Sequence, residues 1–165
     1  MRRLRFLTAL FALLFALSVF GFAGCAGRQN GDPADGETPA GGEDAEGIAM
    51  NIRLTIGGQI FRATLEPGET GAAFAALLPL TLEMRELNGN EKYHYLNESL
   101  PAQAERVGRI EAGDLMLYGT ECIVLFYESF PTSYSYTRIG RIEGADRLAA
   151  AVGGGSVTVA FSANG

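Results

Sequence analysis

From Met50 to Ile56 apolar and polar side chains alternate without a break, with Met50, Ile52, Leu54 and Ile56 on one face and Asn51, Arg53 and Thr55 on the other. A period of two predicts a half-buried β-strand. Gly57-Gly58 comes next, and because both residues tolerate positive φ the pair predicts a tight hairpin. Phe61, Ala63 and Leu65 alternate on the returning strand. Leu82 and Met84 alternate with Thr81, Glu83 and Arg85 in a third strand, Asn88-Gly89 marks another turn, and a fourth strand covers residues 92–96. Residues 97–108 read as a loop. Two apolar strands, residues 115–118 and 122–127, are joined by a turn at Gly119, and a further strand covers residues 136–142. Val157, Val159 and Phe161 form the closing strand.

Helical spacing interrupts this pattern twice. Thr70 is an N-cap candidate for a helix over residues 71–78, with Phe74, Leu77 and Leu78 three and four apart and Pro79 as the stop. Residues 145–152 predict a second short helix, ended by Gly153-Gly154-Gly155. Many short strands with two brief helices imply a closed or nearly closed β-barrel, because closure removes exposed strand edges. The fold class expected is mainly β, over a domain spanning residues 49–163, a size that suits one core.

The first 48 residues follow other rules. Arg2, Arg3 and Arg5 precede an apolar run over residues 6–20 and then small residues, which is the layout of a secretory signal. The run is shorter than the roughly 20 apolar residues a membrane span needs. Phe22-Ala23-Gly24-Cys25 resembles the lipobox of bacterial lipoproteins, with Phe22 where an aliphatic is usual. That resemblance implies a signal peptide over residues 1–24 and a diacylglyceryl group on Cys25. Each buried CH₂ contributes about 0.8 kcal/mol, so two chains give durable anchoring. Cys25 is thus the candidate lipidation site and the membrane the expected partner, with the rest of the chain tethered on the extracytoplasmic side.

Residues 26–48 are built of Gly, Ala, Pro and acids and lack aromatics. Such a segment buries too little apolar surface to offset its ordering entropy, and it is expected to be a disordered linker. As a flexible coil it spans on the order of 25 Å, and self-repulsion extends it further. Its six acids against Arg28 leave −5. The whole chain is −6, so loss of the three signal arginines gives −9, and setting the linker's −5 aside leaves −4 on the remainder. No basic footprint for nucleic acid is present.

Leu80-Thr81-Leu82, the segment Leu-Asn-Gly-Asn-Glu-Lys-Tyr at residues 87–93, Ala-Gly-Asp-Leu-Met-Leu-Tyr-Gly at 112–119, Leu125-Phe126-Tyr127 and Ser-Tyr-Ser-Tyr-Thr-Arg-Ile-Gly-Arg-Ile at 133–142 together resemble the bacterial cyclophilin-like domain family. The resemblance covers roughly residues 50–161 and implies a closed β-barrel of about eight strands with two helices. Fold by itself confers no activity. True prolyl isomerases of the cyclophilin group rest on an arginine in a Phe-His-Arg motif, a nearby glutamine and aromatic walls. An arginine donating to the prolyl nitrogen lowers a rotation barrier of about 18–20 kcal/mol. Here Tyr93-His94-Tyr95 matches the aromatic-histidine part, but Leu96 follows. No catalytic residue carries over.

Other chemistry is sparse. One histidine, His94, and one cysteine beyond Cys25, Cys122, make no metal cluster, and no cofactor is implied. His94 between two tyrosines reads as a strand-surface residue, and Cys122 opening the most apolar strand as a buried, inert thiol. Gly153-Gly154-Gly155-Ser156 lacks the lysine of a phosphate loop.

The segment over residues 126–142 is crowded with aromatics, and Ser129, Thr132, Ser133 and Ser135 lie among them. Two readings compete. In the preferred one Phe126 and Phe130 plug the barrel while Tyr134 and Tyr136 pair across strands. In the other, aromatic faces and hydroxyls form a concave patch for a ligand, with Arg138 supplying charge. The candidate ligand-binding residues are Tyr93, Tyr95, Phe130, Tyr134, Tyr136 and Arg138. The expected function is a lipid-anchored extracytoplasmic module, non-catalytic, that binds a peptide or small molecule. The alternative is an extracellular prolyl isomerase in which Arg138 or Arg109 replaces the missing arginine.

Overall fold

The computed structural model describes residues 49–163. The expected signal, Cys25 and the acidic linker lie outside the described residues. The elements in chain order are β1 (Met50–Ile56), β2 (Gln59–Leu65), α1 (Glu69–Ala76), β3 (Leu80–Leu87), β4 (Glu91–Tyr95), β5 (Glu105–Arg106), β6 (Arg109–Ile110), β7 (Asp114–Tyr118), β8 (Cys122–Phe126), β9 (Phe130–Pro131), β10 (Ser135–Ile142), α2 (Leu148–Val152) and β11 (Val157–Ala163). A single 3₁₀ turn, Ala145–Arg147, leads into α2.

Eight strands form one antiparallel sheet in the order β2-β1-β11-β3-β4-β8-β7-β10, and β10 returns to pair with β2. The barrel is closed. The β1–β2 hairpin is the one the alternation predicts, with Ile56 opposite Gln59 and Gly57 and Gly58 at φ 54° and 80°. A side chain at Gly57 would stand 2.5 Å from the Ala151 carbonyl oxygen, so α2 packs directly on this turn. Gly140 serves the closing seam. It sits at a bulge in the β10–β7 register, opposite Leu65 of β2, where a Cβ would come within 2.5 Å of the Thr64 carbonyl oxygen.

The interior is filled from every side by the residues the period-two pattern selects. Ile52, Leu54 and Ile56 meet Phe61, Leu65, Leu82, Met84, Leu115, Leu117, Ile123, Leu125, Ile139, Val159 and Phe161 in one buried cluster. Phe74 of α1 joins it edge-on to Phe161, at 5.4 Å between ring centres, and Leu148 and Val152 of α2 also belong to it. Each fully buried side chain of this size contributes about 1.5–3 kcal/mol.

Three expectations at element ends are corrected. The first helix runs Glu69–Ala76 with Gly68 before it, and Thr70 does not cap it. The Thr70 hydroxyl instead donates to the Pro101 carbonyl at 2.7 Å. The stretch read as a loop is laced to the barrel: Leu100 is buried, Gln103 N–H donates to the Thr137 hydroxyl at 2.9 Å, and β5 pairs with β10. The region read as one helix over residues 145–152 divides into the 3₁₀ turn and α2.

A fourth difference matters for the site. On β1 burial alternates, but β7 is buried from Asp114 to Leu117 and β8 throughout. Both faces of this part of the sheet are covered. A short ribbon, β6 paired with β9, lays Ile110 and Phe130 over the outer face. There Ile110, Met116, Cys122, Val124, Phe126 and Tyr136 form a second buried cluster, with Tyr93, Val107 and Phe130 packed against it. Phe126 and Phe130 therefore do not plug the barrel. They meet at a tilt of 60° outside it, 5.8 Å apart, because Phe126 alternates with the inward-facing Leu125.

Candidate functional site

The second cluster forms the floor of a cleft of about 510 Å³ on the outer face of the barrel. One wall follows from strand alternation alone. Glu91, Tyr93 and Tyr95 project from β4 at every second residue, while Lys92 between them points the other way and is fully buried. Register places Tyr95 opposite Cys122 and Tyr93 opposite Val124 of β8, and both partners line the floor. The facing wall is Tyr118 at the end of β7, Tyr136 of β10, and the segment from Phe130 to Tyr134 that enters β10. Leu87, Asn88 and Asn90 of the β3–β4 turn close one end, with Asn88 in the left-handed conformation at φ 56°.

The rings stand at angles to each other. Tyr93 and Tyr95 are perpendicular, 83° at 5.9 Å, and so are Tyr118 and Tyr134, 88° at 6.2 Å. Tyr136 meets Tyr118 at 5.6 Å and Phe126 edge-on at 5.5 Å. Tyr95, Tyr118 and Tyr134 remain 60%, 45% and 61% exposed, so they offer rings to solvent where Tyr136 is 6% exposed and serves packing. The segment carrying Tyr134 is held from behind. Ser129 Oγ donates to Glu111 at 2.9 Å and accepts from Ala112 N–H at 2.8 Å, Thr132 N–H donates to the Gly108 carbonyl at 3.0 Å, and Tyr134 N–H donates to Thr132 Oγ1 at 3.1 Å.

Burial governs the acidities here. It raises the Glu91 carboxyl above its ordinary value, and the negative Glu86 nearby adds to the effect. Burial likewise pushes the Tyr136 hydroxyl up to about 12 and the Cys122 thiol up to about 11. A thiol so displaced is almost wholly protonated at neutral pH and a poor nucleophile.

Behind the cleft lies a polar knot. Lys92 Nζ pairs with Glu86 and donates to the carbonyls of Gly153 and Gly155 at 2.8 and 2.7 Å, and it lies 5.4 Å from the centre of the Tyr127 ring. The Tyr127 hydroxyl donates to Glu86 at 2.9 Å, and Gly89 N–H does so at 2.8 Å. Burial alone would raise the Glu86 carboxyl, yet Lys92, Tyr127 and Gly89 outweigh it and hold the group below its ordinary value. The knot fixes the β3–β4 turn from which Asn88 and Asn90 reach the cleft.

Of the six candidate residues, Tyr93, Tyr95, Phe130, Tyr134 and Tyr136 come together around this one cleft. Arg138 does not line it. Its guanidinium turns to Glu105 at 3.7 Å and Asp114 at 3.9 Å, and Arg141 holds the same Asp114 at 2.6 Å. Arg109 pairs with Glu111 at 2.8 Å and is also absent from the lining residues. Tyr134 and Tyr136 both meet Tyr118 from the neighbouring strand. His94 faces away from the cleft, with Nδ1 2.9 Å from the Glu83 carbonyl oxygen. Glu91 and Tyr118 were not anticipated. Glu91 had a signal, since it precedes Tyr93 and Tyr95 at the same period of two; Tyr118 had none, because its place opposite β10 depends on sheet order.

No curated protein matches the chain closely enough to count as a relative. Among solved structures, the solution structure of a hypothetical protein from Archaeoglobus fulgidus is similar over 74% of this chain and 99% of its own, with 22% identity and a TM-score of 0.49. A model of the cyclophilin-like family matches residues 54–162, the barrel from within β1 nearly to the end of β11. The chain belongs to the cyclophilin-like family.

Proposed function

We propose that this protein is a bacterial lipoprotein, anchored through Cys25 on the extracytoplasmic face of the membrane, whose cyclophilin-like barrel is a non-catalytic module that binds a peptide or small molecule. The observation that carries the binding role is the cleft itself. Six aromatic residues, Tyr93, Tyr95, Tyr118, Phe130, Tyr134 and Tyr136, line about 510 Å³, within the range of roughly 300–1,000 Å³ of small-molecule sites. Three exposed tyrosines in such a place leave apolar surface uncovered at a cost, and a ligand that covers them recovers it. The anchor and spacer are supported by the sequence alone: a charged start, an apolar run, a small-small-Cys site and an acidic stretch that keeps the barrel off an anionic surface.

Prolyl isomerisation needs a cationic donor over the prolyl nitrogen. Among the described residues lining the cleft none is an arginine, and Arg109 and Arg138 are each held by acids elsewhere. Binding without catalysis is therefore the reading we adopt. A mixed library of small molecules and short peptides, screened against the ¹³C-tyrosine resonances of the full chain, tests it. We expect hits that shift Tyr93, Tyr95, Tyr118 and Tyr134 and spare Tyr127. Hits that leave those four untouched would sink the binding role. A proline-peptide exchange rate above buffer that Arg138→Ala abolishes would replace it with the enzyme.

A further inference from the structure

The charge of the cleft is one-sided. Glu91 is the single charged side chain among the described residues that line it. The cations on neighbouring positions are committed elsewhere: Lys92 turns inward to Glu86 and two carbonyls, and Arg138 turns to Glu105 and Asp114. No described residue forms an ion pair with the Glu91 carboxylate. Half-burial in a wall of tyrosines, without a counter-ion, disfavours the charged form of this acid, and a ligand that brings positive charge would favour it again.

Ring geometry points to the same chemistry. The face of an aromatic ring is electronegative and attracts a cation within about 6 Å of its centre. Tyr118 and Tyr134 meet edge to face at 88° and stay 45% and 61% exposed, so ring surface remains available to a cation at this end of the cleft. Tyr93 and Tyr95 repeat the arrangement at 83° on the side that carries Glu91. An anion would meet ring faces and Glu91, both repulsive, with no basic lining residue to offset them. A neutral apolar ligand would bury the rings but leave Glu91 uncompensated.

Resting on the reading of the cleft as a binding site, we propose that its ligand is an organic cation: an ammonium or methylated ammonium group, on a small molecule or on a lysine side chain, held among Tyr95, Tyr118 and Tyr134, with Glu91 four residues along β4 from Tyr95 supplying the negative charge of the cleft at longer range.

The test is a titration of the full chain, in non-ionic detergent, followed by tyrosine ¹³C resonances. The probes are choline, its neutral carbon isostere 3,3-dimethylbutanol, and the 3,3-dimethylbutyrate anion. We expect choline to shift Tyr95, Tyr118 and Tyr134 and to bind about tenfold more tightly than the neutral isostere, with the anion weakest. In Glu91→Gln that preference narrows severalfold, the ring faces keeping the remainder, and an unchanged preference would remove Glu91 from the role. Tyr134→Leu, at a position exposed enough to spare the fold, reduces choline binding in the same way. Two further arms, acetyl-Gly-Lys-Gly-amide and its trimethyl-lysine form, assign the source. Tighter binding than choline points to a lysine-bearing peptide and weaker binding to a small molecule, and both uphold the cation. If the isostere or the anion binds as well as choline, the cation is wrong while the cleft stands as a binding site. If no probe moves a cleft tyrosine and the library also finds no occupant, both readings fall.

Discussion

Lys92 has no exposed surface, and each of its three donors meets an acceptor: Glu86, Gly153 and Gly155. The arrangement joins β3, β4 and the glycine turn before β11 at one point. Removing one member of a buried pair leaves the other without compensation and costs about 3–5 kcal/mol. Lys92→Met is expected to fall within or just below that range, since Glu86 keeps Tyr127 and Gly89 and some solvent; urea unfolding measures it. Glu86 and Glu91 pull the pH dependence in opposite directions. Glu86 lies below its ordinary value in the fold, so its contribution is present above the unfolded carboxyl pKa and is lost as pH falls through the lower, folded one. Glu91 lies above its ordinary value. The folded state then binds its proton more tightly than the unfolded chain, and stability drops as pH rises from the unfolded pKa through the folded one. Glu91→Gln is accordingly expected to raise the thermal midpoint at neutral pH and to leave it unchanged in acid below the ordinary carboxyl range. A neutral-pH midpoint equal to or below wild type would contradict the cost assigned to this carboxylate. A residue that destabilises the fold in a cleft is what a ligand-binding role leads one to expect.

Among the elements, those with a strong local signal were legible. Alternation in β1 and β2 and the Gly57-Gly58 turn specify that hairpin completely, because each inward residue is apolar and a one-residue slip would turn the whole set outward. The aromatic candidates were legible for a similar reason: Tyr93 and Tyr95 share a face by strand geometry. What the sequence does not encode locally is which faces are covered. The apolar runs of β7 and β8 look the same whether the second face meets a helix, a ribbon or a partner, and the two-residue strands β6 and β9 carry no pattern long enough to read. Of the two readings the pattern allows, one puts Phe126 inside, whereas it lies outside, and the other puts Arg138 in the cleft, whereas Glu105 and Asp114 draw it aside. The closing seam is a further element-scale feature that only the structure reveals. Gly140→Val puts a branched side chain 2.5 Å from a backbone carbonyl, and backbone cannot move as a flexible side chain can. We expect a loss of about 2 kcal/mol or more, with amide exchange rising first at Thr64 and Leu65 on β2. Uniform loss of protection across all strands, with no early opening at that seam, would show that closure is not the weak point.

At the scale of the whole molecule, the barrel and its proposed anchor make separable demands. The barrel's charge is modest, while the acids of residues 26–48 give −5 after Arg28 is counted. The proposed anchoring rests on Cys25. A thioether-linked diacylglyceryl group would make this the one covalently lipidated position, and two acyl chains suffice to hold a protein on a bilayer without a spanning helix. Cells expressing the full chain and supplied with an alkyne-tagged fatty acid are expected to yield a labelled band in the membrane fraction. Cys25→Ala is expected to lose the label and leave the membrane fraction, while Cys122→Ala keeps both, because Cys122 is buried and its thiol is pushed up to about 11. If Cys25→Ala labels as strongly as wild type, the anchor lies elsewhere. If wild type is unlabelled and recovered free of membranes, the apolar run is an ordinary secretory signal and the barrel works untethered, with its cleft chemistry unchanged.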